Sequence, residues 1–122
     1  MHLQYLDFDF SENSEGTGTW DAMASATPQQ WPALLDEVVQ VLHWAHDRFA
    51  GQRGPVEEGG DWDYDLQCVQ EVVTPQHLHY DPEEQVLHVQ NGNASIQRHT
   101  LSLSLSGSAQ FSAALREHFG LD

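Results

Sequence analysis

The sequence predicts an α+β two-layer sandwich: a mainly antiparallel sheet of about six strands, in the order ββαββββα, with two helices packed on one face. Three observations carry this expectation. Apolar and polar residues alternate with period two in several separate segments. Two other segments repeat apolar residues every three or four positions, and the strand-like runs are separated by Asn, Asp, Gly and Pro. At 122 residues the chain has room for one core, so a single domain over 1–122 is expected.

Taken in order, Leu6, Phe8 and Phe10 fall on one face of a first strand, with Asp7 and Asp9 on the other. The polar, glycine-bearing stretch 11–18 closes a hairpin onto a second strand, about 19–25, which turns Trp20, Ala22 and Ala24 inward and Asp21 outward. Trp31, Leu34, Val38, Leu42, Ala45 and Phe49 then form the buried stripe of a helix. Thr27 and Gln30 have capping-box spacing, whereas Pro32 in a second turn would cost a backbone hydrogen bond, which moves the start toward Trp31. Gly51 is the expected terminator. In a third strand Trp62, Tyr64, Leu66 and Cys68 point inward and Asp61, Asp63 and Asp65 outward, until Thr74-Pro75 breaks the pattern. Short strands at 77–80 and 85–90 turn at Asp81-Pro82, and Asn91-Gly92 gives the strongest hairpin signal in the chain. A sixth strand, about 95–105, carries Leu101, Leu103 and Leu105 on one face, and a helix over 109–119 stops at Gly120.

Charge narrows the functions available. Nineteen Asp and Glu stand against four arginines and no lysine, a formal net charge of −15. Four scattered arginines in such a field cannot grip a phosphate backbone, so nucleic acid is excluded as a partner. P-loop and Schiff-base chemistry need a lysine, and an anionic membrane surface would repel the chain. With 10% aromatic residues, four of them tryptophan, the chain is poorly suited to disorder despite a mean hydropathy of −0.51. Cys68 is alone, residues 1–10 lack a basic, apolar leader pattern, and no apolar run is long enough for a membrane helix, so a cytoplasmic protein is expected.

Two groups of residues have the composition of a site. Asp7, Asp9, Asp21, Asp61, Asp63 and Asp65 all occupy outward strand positions, and clustered carboxylates are relieved by a cation or a basic partner. Asp61-x-Asp63-x-Asp65 is not an EF-hand, because Leu66 stands where glycine is needed and Val72 where a bidentate glutamate belongs. The second group is His77, His79 and His88. A turn over 81–84 pairs Tyr80 with Gln85 and His77 with His88, so the three imidazoles share a face while Leu78, Tyr80, Leu87 and Val89 meet the core. Three imidazoles can hold zinc with one position open.

Elsewhere the patterns are structural. Ser104-Leu105-Ser106-Gly107 lacks the first glycine of a nucleophile elbow, and Cys68 has the parity of a buried thiol. Gly16-Thr17-Gly18 is too short for a dinucleotide loop, and His43 and His46 lack the partners of a helical metal motif. Trp44 lies off the centre of the helix stripe and Trp31 at its start, where an exposed ring would suit a partner.

Gly16–Ser25 (GTGTWDAMAS) and Gly59–Leu66 (GGDWDYDL) resemble segments of small acidic proteobacterial proteins of unassigned function. The resemblance spans most of the chain and implies a bacterial, cytosolic protein without adding a catalytic residue. Two functional readings result. The preferred one is a non-enzymatic module, immunity- or inhibitor-like, that presents its acidic sheet face to a basic protein and uses no cofactor. The alternative is a metal-dependent enzyme or metal-binding protein holding zinc or manganese at His77, His79 and His88. A self-associating protein, a homodimer through an unpaired edge strand, is a third class.

Overall fold

The computed structural model describes residues 2–122. It is an α+β fold with six strands: β1 (Phe8–Glu12), β2 (Gly18–Ala26), β3 (Trp62–Val73), β4 (Gln76–Asp81), β5 (Val86–Asn91) and β6 (Ser95–Gly107). Two helices, α1 (Trp31–Arg48) and α2 (Ala109–Phe119), complete it. The strands divide between two antiparallel ladders, a four-stranded sheet in the order β1-β2-β6-β3 and a separate β4-β5 pair.

The core forms where one face of the four-stranded sheet meets both helices. Trp20, Leu101, Leu103 and Leu105 from the sheet interlock with Leu34, Val38 and Val41 of α1 and with Phe111, Leu115 and Phe119 of α2. The Trp62 ring stacks on Phe111, centroids 5.6 Å apart and planes within 1°. Opposed glycines make this packing possible. Gly18 pairs with Gly107 across β2 and β6. A Cβ at Gly107 would collide with Phe111, and one at Gly18 with Ser112 and Phe10. In the space left, the Trp20 indole N–H donates to Ser112 Oγ at 3.1 Å.

Local chemistry sets the element ends. Thr27 N–H donates to the Gln30 side chain at 3.1 Å and Gln30 N–H to Thr27 Oγ1 at 3.3 Å, a reciprocal capping box one turn ahead of Trp31. Thus the capping signal and the Pro32 objection are reconciled: residues 27–30 form a turn, and the helix proper starts at Trp31 with Pro32 in its first turn, where no backbone donor is missed. Ser108 caps α2 by accepting from Phe111 N–H at 3.2 Å, and Gly120 closes it in the left-handed region. Asn13 Oδ1 accepts from Glu15 and Thr17 N–H and shapes the β1–β2 turn.

Several expectations are corrected. The first strand starts only at Phe8, because residues 4–6 are bound to α1 instead. Asn91-Gly92 does not join neighbouring strands. β6 pairs with β3, β5 pairs with β4, and the β4–β5 hairpin is nested at the end of the β3–β6 pair. Gly92 therefore sits at the junction of the two ladders, its N–H donating to Pro75 O at 2.8 Å. Within β4–β5 the register lies two residues from the expected one: Tyr80 pairs with Leu87, His79 with His88, and His77 with Gln90. The four-residue turn is displaced by one position, to 82–85, with Gln85 in the left-handed region at φ 56°. A two-residue shift keeps every side chain on its expected face. That apolar face does not meet the core, however: Leu78, Tyr80, Leu87 and Val89 are 55–63% exposed. Cys68 has inward parity but lies at the margin of the helical layer, and it is exposed.

Candidate functional site

The sheet face opposite the helices carries the acidic residues. Register places Asp9 opposite Asp21, Asp21 opposite Ser104, and Ser104 opposite Asp65, one row crossing all four strands. At the usual spacing of about 4.8 Å between strands, Asp9 and Asp21 are nearest neighbours and Asp65 stands two strands further along. These side chains, with Met23, Ser102 and Ser104, line a shallow cleft of about 340 Å³. Met23 is 70% exposed, an apolar contact point beside the carboxylates that the sequence reading passed over. Its parity with Asp21 on β2 was the available signal.

The other three aspartates behave differently. Asp7 is exposed but lies ahead of β1. Asp61 lies ahead of β3, with its N–H donating to Gln52 O at 2.8 Å and its carbonyl accepting from Ser108 N–H at 2.9 Å. Asp63 is on the acidic face, yet its Oδ1 accepts from Arg53 Nε at 2.9 Å and from Tyr64 N–H at 2.9 Å. The Arg53 guanidinium also covers the Tyr64 ring, 4.6 Å from its centroid. The unneutralised row is therefore Asp9, Asp21 and Asp65.

Of the three histidines, His79 and His88 come together, with ring centroids 6.5 Å apart, and His77 belongs to the next register pair. Asp81 Oδ2 lies 3.9 Å from His88 Nε2. Among the described residues no three His, Cys, Asp or Glu side chains are gathered as a metal ion would require. The remaining candidates are engaged in packing. Trp31 stacks on His99 at 4.2 Å, Trp44 on His118 at 5.3 Å, and the His46 ring abuts Trp62 and Tyr64. A wider hollow of about 520 Å³ between α1 and α2 is lined by Trp44, Arg48, Ala114, Glu117 and His118, a mixture of charges without a convergent set.

Comparison with protein families, with curated proteins and with solved structures finds no match to this chain. No described helix is long and apolar enough to cross a membrane.

Proposed function

We propose that the protein is a non-enzymatic binding module whose sheet presents Asp9, Asp21 and Asp65 to a basic segment of another protein. The observation that carries this reading is the carboxylate row set across four hydrogen-bonded strands, with Met23 beside it. A sheet holds such a row rigidly, so a partner's guanidinium groups meet carboxylates already in place. The surrounding field of a −15 chain speeds the encounter and makes it sensitive to salt. An immunity- or inhibitor-like role against a basic enzyme is the concrete form we favour, in the cytoplasm, where an exposed Cys68 stays reduced.

The test is an NMR titration of the labelled protein with a short arginine-rich peptide at low and high salt. Shifts should concentrate on Asp9, Asp21, Met23, Asp65, Ser102 and Ser104, and they should fade at high salt and in the Asp9→Asn/Asp21→Asn/Asp65→Asn variant. Shifts spread equally over the Glu57–Glu58 loop and the Asp81–Glu84 turn would reject the face as a site.

A further inference from the structure

Beyond Cys68 the two long strands leave the helical layer and continue as a bare ribbon. Every residue from Gln67 to Tyr80, and again from Val86 to Asn91, is exposed. From Val69 to the tip, the chain spans about 40 Å of contour at the usual rise of a strand. A two-stranded hairpin without cover is marginal in water, and monomers seldom leave so much apolar surface open.

Three features indicate what covers it. First, β3 is an edge strand of the four-stranded sheet, and among the described residues its outer edge is occupied only at Trp62, which bridges to Arg53. Second, apolar side chains stand open along this edge. Val69, Val72 and Ile96 on the ribbon are 65%, 49% and 44% exposed, and Leu35 and Val39, on the stripe of α1 whose His46 abuts Trp62 and Tyr64 of β3, are 39% and 62% exposed. Third, charge selects the partner. Along the ribbon, 66–80 and 86–100, the only Asp, Glu, Lys or Arg residues are Glu71 and Arg98, and they neutralise each other through Arg98 Nη2 at 2.9 and 3.0 Å from the Glu71 carboxylate. The ribbon is thus a long surface that another −15 chain can approach with few opposing carboxylates.

We propose that the free edge of β3 pairs antiparallel with β3 of a second copy, joining the two four-stranded sheets into one. Directly opposed residues must share a face, so a twofold axis passes beside a single residue opposed to itself. Centring on Cys68 would oppose Asp65 to Glu71 of the other copy. Centring on Val69 avoids this, opposing Leu66 to Val72 twice and Gln67 to Glu71. In this arrangement each ribbon runs toward the other copy's α1 shoulder, where Leu35 and Val39 are open. The acidic tips, Asp81, Glu83 and Glu84, lie at opposite ends. Both acidic rows stay on the same open side, so dimerisation and binding of a basic partner can succeed or fail separately.

Sedimentation equilibrium on the intact chain tests this. The expected mass is twice 13.7 kDa, falling to the single-chain mass in Val69→Lys, with the far-ultraviolet circular dichroism of the core retained. In a Cys68→Ser background, Val69→Cys should give a disulfide-linked dimer under mild oxidation, and Val89→Cys on the hairpin should not. A wild-type chain that stays at 13.7 kDa across the concentration range overturns the proposal, as does a dimer unchanged by Val69→Lys. A dimer lost in Val69→Lys but with no Val69→Cys crosslink overturns the register.

Discussion

The Glu37 side chain on α1 accepts the backbone N–H of Leu6 at 3.0 Å, and the same carboxylate accepts from Gln4 at 2.8 Å and Tyr5 at 3.0 Å. One buried charge, 8% exposed, thereby fastens the segment ahead of β1 to the helix. Charged acceptors form the stronger hydrogen bonds, and a donor stripped of its partner keeps its desolvation cost. Glu37→Ala should destabilise the fold by about 2–3 kcal/mol in urea unfolding. Glu37→Gln should recover part of this and no more, because its amide keeps one acceptor oxygen and turns an NH2 donor toward three backbone donors. Hydrogen exchange at Tyr5 and Leu6 should accelerate in both variants.

The opposed glycines give a steric prediction. Gly107→Ala must displace the Phe111 ring, which is itself stacked on Trp62. Overpacking of this kind costs about 1–3 kcal/mol. Ser112→Ala enlarges nothing and removes only the acceptor of the Trp20 indole, at a cost of about 1 kcal/mol. Thermal unfolding of the two variants should rank them in that order.

Asp9 and Asp21 stand directly opposite on neighbouring strands, an arrangement that destabilises a sheet. Asp21→Asn should therefore stabilise the protein by a few tenths of a kcal/mol at low ionic strength. Added salt should erase the gain, since these charges are exposed and screened. The same substitution should weaken binding of an arginine-rich peptide, so stability and recognition move in opposite directions.

Arg53 gives the converse case. Its ion pair with Asp63 is half exposed, so Arg53→Ala should cost under about 1 kcal/mol. Freed of its guanidinium, Asp63 adds a carboxylate to the acidic face beside the row, and affinity for a cationic peptide should rise. Isothermal titration at two salt concentrations would measure this, with the larger change at low salt.

The elements themselves were legible wherever a local rule decided them. Alternation around Trp20 and Trp62, the Thr27–Gln30 box and Gly120 each fixed a boundary or a face. What sequence could not supply was cover. Alternation says which side of a strand is apolar, but not whether another layer lies against it, so Leu78, Tyr80, Leu87 and Val89 read as core and stand in solvent. Pairing partners were hidden for a related reason: Asn91-Gly92 has the composition of a tight turn, yet β6 is taken by the long-range ladder with β3 and β5 by its pairing with β4. Of the acidic face, Asp9, Asp21 and Asp65 were found by parity. The neutralisation of Asp63 depends on Arg53, ten residues earlier on a loop, and Glu37 reaches back more than thirty residues, distances at which no local pattern operates.

Nesting the β4–β5 hairpin at the end of β3–β6 has a consequence for the architecture as a modular object. Val73 and Ser95 are direct cross-strand partners, so the chain leaves and returns at the same place. The excursion 74–94 can be cut out and replaced by a two-residue turn with no core residue changed. The arm and the body can thus vary in length independently, in evolution as in the laboratory, with the fold indifferent to how far the arm reaches.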